Sequence, residues 1–181
     1  AGNAATAVVR TVNVVDTTAP VITMAGDATT TVEVGSTYTD AGATASDSYD
    51  GALTVVATST VDASVVGSYT VTYSVSDAAG NSSAAVRTVD VEDTTAPTIA
   101  GVPESRILST TGTSATTTWA EPTVTDNSSA AVVVTSTVAS GDSFGVGSNT
   151  VTYTATDASG NAATASFVVT VFKVVSSAQG S

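Results

Sequence analysis

Carboxylates recur in this chain at matched intervals. Asp16 and Asp93 each open the pentapeptide Asp-Thr-Thr-Ala-Pro, 93 − 16 = 77 residues apart. Asp77 and Asp157 open Asp-Ala-Ala-Gly-Asn and Asp-Ala-Ser-Gly-Asn, 157 − 77 = 80 residues apart. Upstream of each of these turns lies another acidic loop, Ala-Ser-Asp-Ser-Tyr-Asp-Gly with Asp47 and Asp50, and Thr-Asp-Asn with Asp126 and Asn127; Asp47 precedes Asp77 by 30 residues and Asp126 precedes Asp157 by 31. Short carboxylates and a carboxamide are donors for a hard cation. Calcium takes about six to eight oxygens in loose geometry, whereas magnesium demands a tight octahedron. Two carboxylates about 4 Å apart repel by about 4 kcal/mol at an effective dielectric of 20, so a cluster of them calls for separation, protonation or a bridging ion. The predicted ligand sets for Ca2+ are Asp16, Asp47, Asp50 and Asp77 at one site, and Glu92, Asp93, Asp126, Asn127 and Asp157 at the other. The same residues have a purely local alternative, because Asp readily bonds the amides of its own turn.

The rest of the composition removes most other chemistry. The 181 residues contain no Cys and no His, which excludes thiol nucleophiles, histidine-based triads and zinc sites of the usual ligand types. Sixteen acids, twelve of them Asp, face four bases for a formal charge of −12, so a phosphate backbone is repelled and nucleic acid is not an expected partner. No run is apolar and long enough for a membrane span. Catalysis is the least favoured class, since paired carboxylates need a cleft that short sandwiches do not offer.

Elements of period two must position these acids. The apolar content is 42% with only 5% aromatics, mostly Val and Ala amid Thr, a composition for strands rather than helices. Thr-Val-Thr-Tyr-Ser-Val-Ser-Asp-Ala-Ala-Gly-Asn at 70–81 matches Thr-Val-Thr-Tyr-Thr-Ala-Thr-Asp-Ala-Ser-Gly-Asn at 150–161. The opening residues parallel the stretch from Ala79 to Pro97. Residues 1–15 therefore read as the last strand of a preceding repeat or a donor strand, 16–92 and 93–173 as two full repeats, and 174–181 as a tail. The predicted strands lie near 20–25, 29–34, 36–45, 53–61, 67–76 and 82–91, then near 97–102, 105–110, 115–125, 131–138, 147–156 and 162–172. Short strands with turn signals between them predict an all-β chain, two tandem Ig-like β-sandwiches preceded by an orphan strand. In such a sandwich the loop after the second strand, the turn between the last two strands and the entering chain share one end, so the three acidic features of each repeat should converge. Asp40 and Glu121, also aligned, read as exposed strand acids.

The second repeat, through Asp-Thr-Thr-Ala-Pro-Thr-Ile, Glu-Pro-Thr-Val-Thr-Asp-Asn and Phe-Gly-Val-Gly-Ser-Asn-Thr-Val-Thr-Tyr-Thr-Ala-Thr-Asp-Ala-Ser-Gly-Asn, resembles the hyalin-repeat family of extracellular Ig-like modules. The first resembles a related bacterial Ig-like module of surface proteins, through its Asp-Thr-Thr-Ala-Pro-Val-Ile start and Asp-Ala-Ala-Gly-Asn turn. Many hyalin repeats carry a Cys pair where this chain has Ser128 and Ala165, so the resemblance implies a module without its usual cross-link. It also implies an extracellular or cell-surface, non-catalytic role, with a bacterial source. The leading expectation is a structural or adhesive segment, a stalk, adhesin arm or matrix strut, whose joints calcium stiffens and whose partners are neighbouring repeats or a cell-surface or matrix ligand. The alternatives are a filament subunit that donates residues 1–15 to another subunit, and a carbohydrate-binding module. Trp119 and Tyr49 are the aromatic candidates for a sugar platform, with core packing the commoner fate of a lone Trp.

Overall fold

The computed structural model describes residues 1–175, and the predicted tail beyond Val175 lies outside the described residues. Fifteen strands and no helix are present among them. The first repeat contributes β1 (Val21–Met24), β2 (Thr29–Glu33), β3 (Ala43–Asp47), β4 (Gly51–Leu53), β5 (Val56–Ser59), β6 (Gly67–Ser76) and β7 (Ser82–Glu92). They form a three-stranded sheet in the order β1-β3-β4 and a four-stranded sheet in the order β2-β7-β6-β5. The second contributes β8 (Thr98–Ala100), β9 (Arg106–Thr110), β10 (Ser114–Thr116), β11 (Thr123–Thr125), β12 (Val133–Ser136), β13 (Ser143–Gly145), β14 (Gly147–Thr156) and β15 (Ala162–Lys173). Its main sheet runs β12-β14-β15-β9, with β9 parallel to β15, and the pairs β8-β11 and β10-β13 complete it.

The two longest hairpins carry the cores. Alternation turns Val71, Tyr73 and Val75 of β6 and Val89 and Val91 of β7 inward, all buried. In β14 and β15 the corresponding inward residues are Val151, Tyr153 and Ala155 with Phe167, Val169 and Val171. A fully buried valine contributes about 1.5–3 kcal/mol, which is how a chain so poor in aromatics closes its sandwiches. Each hairpin turns on five residues: the Asp77 amide donates to the Asn81 carbonyl and the Asp157 amide to that of Asn161, both at 3.0 Å. Gly80 and Gly160 take φ +94°, a conformation a side chain would strain.

Two predicted strands break where the structure has other uses for the chain. The stretch 36–45 is irregular until Ala43, because the Asp40 carboxylate accepts from Tyr38 Oη (2.8 Å) and the Gly42 amide (2.8 Å), bending the backbone through Gly42 at φ +81°. The stretch 115–125 divides into β10 and β11 around Trp119 and Pro122, whose ring cannot donate to a ladder. Short strand β13 has no predicted counterpart, and β4 meets the predicted strand 53–61 only at Leu53. Residues 1–20 form no strand, and Val8, Val9, Val12, Val14 and Val15 are exposed.

Asp40 is not the exposed strand acid that its alignment predicts. It pairs with Arg87, which is only 2% exposed and whose guanidinium also donates to Tyr73 Oη (2.8 Å) and to the carbonyls of Asp27 (3.0 Å) and Ala25. Tyr73 Oη in turn donates to Asp40 at 2.6 Å. Burial opposes the Asp40 charge, but the Tyr73 and Tyr38 hydroxyls, the Gly42 amide and Arg87 outweigh it and hold the carboxyl down to about 2. At the matching tyrosine of the second repeat, Tyr153, the partner is the Trp119 indole, which donates to Tyr153 Oη at 2.5 Å and packs edge-on against Phe167.

The chain packs as two compact units that are not contiguous in sequence. The first holds 1–31, 38–62 and 68–90; the second holds 32–37, 63–67 and the described residues from Val91.

Candidate metal centre

Six aspartates form two triads, Asp16 with Asp47 and Asp77, and Asp93 with Asp126 and Asp157. In each triad one carboxylate oxygen per residue lies within 4.8 Å of the others. The elements deliver them to equivalent places: Asp47 ends β3, and Asp77, Asp93, Asp126 and Asp157 directly follow β6, β7, β11 and β14. Asp16 stands before β1 in the same position that Asp93 holds before β8.

One oxygen of each side chain is spent on its own turn. Asp16 Oδ1 accepts from the Thr18 amide (3.0 Å), Asp47 Oδ1 from the amides of Tyr49 (2.7 Å) and Asp50 (3.2 Å), and Asp126 Oδ1 from the amide and hydroxyl of Ser128 (2.9 and 2.6 Å). The other oxygen is left over: Oδ2 of Asp16, Asp47 and Asp126 is buried without a hydrogen-bond partner. Asp47 as a residue is only 8% exposed. Buried polar atoms are nearly always paired, so three such orphans, all in the triads, mark places where a ligand is called for.

The third member is locked by the turn asparagine. Asn81 Nδ2 donates to Asp77 Oδ2 (2.7 Å) and Asn161 Nδ2 to Asp157 Oδ2 (2.9 Å), while the same amides reach the carbonyls of Asp16 (3.4 Å) and Asp93 (2.9 Å). Burial pushes the Asp77 and Asp157 carboxyls up, but the asparagine side chains and the turn amides outweigh it, leaving both below the ordinary carboxylate range. They stay ionised beside two further carboxylates.

Of the nine predicted ligands, six are brought together and three lie to the side. Asp50 Oδ2 accepts from the Ala78 amide at 2.8 Å, fastening the loop to the turn. Glu92 is an exposed end of β7. Asn127 directs Nδ2 to Glu33 Oε1 (2.9 Å) and the Val34 carbonyl (3.2 Å). Glu33 was missed by sequence reasoning. It accepts from the Thr94 amide (3.1 and 3.2 Å), Thr94 Oγ1 (2.8 Å) and Thr95 Oγ1 (2.7 Å), and the Thr95 and Thr94 hydroxyls hold its carboxyl down to about 2. The signal, a lone Glu in an alternating strand, is indistinguishable from any solvent-facing strand acid.

The donor set fits calcium. It is all oxygen, and a separation within 4.8 Å is what one ion with bonds of about 2.3–2.6 Å can span. Trp119 is core, packed on Phe144 and Phe167, whereas Tyr49 is 81% exposed.

Residues 22–91 match the family described as bacterial surface protein, Ig-like domain, and residues 92–171 match the HYR domain. Hyalin of Strongylocentrotus purpuratus is 39% identical over 96% of this chain, and hyalin of Lytechinus variegatus 40% identical over 91%. The chain spans 15% and 33% of the length of these two relatives. A solved lipoprotein of Bacteroides thetaiotaomicron is 20% identical, with TM-score 0.38 over 77% of this chain and 61% of its own. The matched domain types, one Ig-like and one of the hyalin kind, are adhesion-type modules rather than catalytic ones, and they point to an extracellular or cell-surface location. No helix among the described residues is long and apolar enough to cross a membrane.

Proposed function

For a chain that joins a bacterial surface protein Ig-like domain to an HYR domain, we propose a structural or adhesive segment of a longer bacterial surface protein, in which Ca2+ held by the two aspartate triads stiffens the Asp-Thr-Thr-Ala-Pro joints. The observation that carries this reading is the set of buried, unpartnered Oδ2 atoms of Asp16, Asp47 and Asp126, each in a triad of neighbouring carboxylates. Calcium would satisfy all three and replace mutual repulsion with attraction. The ligands of each triad come from three separate stretches of chain, so an ion fixes the strand entering the module to its loop and its turn. Neighbouring repeats are then the first partners, and a cell-surface or matrix ligand the outer one. Calorimetric titration of the chain with calcium should show two sites in the range of about 0.1–1 mM typical of extracellular modules. No heat of binding, with melts identical in chelator and calcium, would refute the calcium role.

A second reading has its own observation. Arg10 to Val14 repeats the pattern of Arg87 to Val91, yet Val12 and Val14 are exposed where Val89 and Val91 are core. That segment has the sequence pattern of a strand but joins no sheet among the described residues, and donation to another subunit would build a filament. Deleting residues 1–15 should then abolish assembly seen by electron microscopy; unaffected filaments would end this reading.

A further inference from the structure

The two triads are alike in their aspartates and differ in what supports them. Around the second triad, Thr94 and Thr95 directly follow Asp93, and Asn127 directly follows Asp126; all three donate to the single carboxylate of Glu33. Glu33 thereby ties together two of the three stretches that supply the triad. Its own segment is fixed in turn: the Val34 amide donates to the Glu92 carbonyl at 2.7 Å, and the Val34 carbonyl accepts from Asn127 Nδ2 at 3.2 Å. Gly35, at φ +77°, lets the backbone come so close that a Cβ there would stand 3.2 Å from the Asn127 carbonyl oxygen. Residues 32–37 and 91 onward belong to one compact unit, so this support is internal to the unit that holds the triad.

The first triad is tied more sparsely. Asp50 Oδ2 accepts from the Ala78 amide at 2.8 Å, one bond between the Asp47 loop and the Asp77 turn. At its positions equivalent to Thr94, Thr95 and Asn127, which are Thr17, Thr18 and Ser48, no carboxylate from outside the triad accepts among the described residues; the Thr18 amide returns to Asp16 itself.

We propose that Glu33 is a positioning residue for the second triad, holding the Asp93 and Asp126 stretches in place so that this site takes calcium at a lower concentration than the first. The inference rests on the calcium reading above. A site whose ligands are already held loses less freedom on binding, and partners that orient metal ligands typically govern about 10–100-fold in affinity. Asp126 Oδ2, buried and unpartnered, is the atom this support leaves free for the ion, as Asp47 Oδ2 is in the first triad.

The test uses the whole chain and calcium itself, followed by titration calorimetry. In the wild type two binding steps are expected, the tighter abolished by Asp126→Asn and the weaker by Asp47→Asn. The opposite assignment, or two equal steps, overturns the ordering without touching the calcium reading. Glu33→Ala in the Asp47→Asn background should weaken the remaining site about tenfold or more, and Glu33→Gln, which keeps the size and one acceptor, by less. Glu33→Ala in the Asp126→Asn background should leave the first site unchanged within about twofold. Equal losses in both backgrounds would mean general destabilisation and would overturn the positioning role, as would no loss in either. Absence of any calcium binding in the wild type would refute the reading on which the inference stands. Should Glu33→Ala fail to fold, the wild-type assignment by the two aspartate variants still decides the ordering.

Discussion

Replacing Asp47 by Asn distinguishes a calcium ligand from a turn residue, because the two roles predict different responses to the ion. The substitution is nearly isosteric, and the retained Oδ1 can still accept from the Tyr49 and Asp50 amides. What changes is Oδ2, now an amide nitrogen placed where the wild type has a buried, unpartnered oxygen in a triad with Asp16 and Asp77. In chelator the new N–H can donate to a neighbouring carboxylate, a gain of about 1.5 kcal/mol for a hydrogen bond to a charged group. For a repeat of 93 − 16 = 77 residues, an unfolding entropy of about 2.1 cal/mol/K per residue gives about 0.16 kcal/mol/K, so the midpoint should rise by about 9 °C. With calcium at about 100 times the dissociation constant, the wild-type module gains about 2.7 kcal/mol, or about 17 °C. If loss of one carboxylate weakens binding about 100-fold, the variant gains only about 0.4 kcal/mol from the same calcium, or a few degrees. Scanning calorimetry of both proteins in chelator and in calcium should therefore give a variant that melts higher without calcium and responds little to it. A variant that melts lower by the same amount in both buffers would show that Asp47 serves the turn alone.

Other expectations follow from the supporting structure. Asp40→Ala strands the Arg87 charge in a site where it is 2% exposed, which should cost about 3–5 kcal/mol in denaturant unfolding; a loss under about 1 kcal/mol would show that the guanidinium finds other partners. Because the folded Asp40 carboxyl is held down to about 2 against about 3.9 unfolded, its contribution is present above about pH 4 and is lost as pH falls toward 2. Acid titration of Asp40→Asn should accordingly lack part of the pH dependence that the wild type shows between 4 and 2. Trp119→Phe removes the donor to Tyr153 Oη and should cost about 1–3 kcal/mol, read from chemical denaturation; no change would mean that the tyrosine hydroxyl reaches another partner.

The repeat, the long hairpins and the convergence of three acidic stretches were legible in the sequence because each depends on spacing. Period-two alternation fixes which residues of β6, β7, β14 and β15 face inward, and the matched intervals between Asp47 and Asp77 and between Asp126 and Asp157 locate the triads. What spacing does not encode is the choice between oxygens and between partners. Asp50 and Asn127 sit in the right loops, yet their side chains bond the Ala78 amide and Glu33 instead, a matter of a few ångströms that no periodicity resolves. Asp40 was misplaced for the opposite reason: it lies in an alternating stretch, but its carboxylate, paired with Arg87 47 residues away, also accepts from Tyr38 and the Gly42 amide and so bends that stretch out of the strand.

The two repeats close around different interiors. In the first, Tyr73 Oη is held by an ion pair of Asp40 with Arg87; in the second, Tyr153 Oη takes the Trp119 indole and the space fills with Phe144 and Phe167. β3, which ends at Asp47, pairs with β1 and β4, whereas β11, which precedes Asp126, pairs with β8 alone. If the aspartates were only the residue that happens to close each turn, modules built so differently would have no reason to bring three of them within 4.8 Å in both cases. A turn needs one acceptor, and Oδ1 supplies it. The second oxygen, left buried and unpaired on Asp16, Asp47 and Asp126, is a cost that local structure does not require and a cation would remove. The acidic pole is thus held in common while the core beneath it varies, which locates the shared property of the two modules where the entering chain, the loop and the turn of each meet.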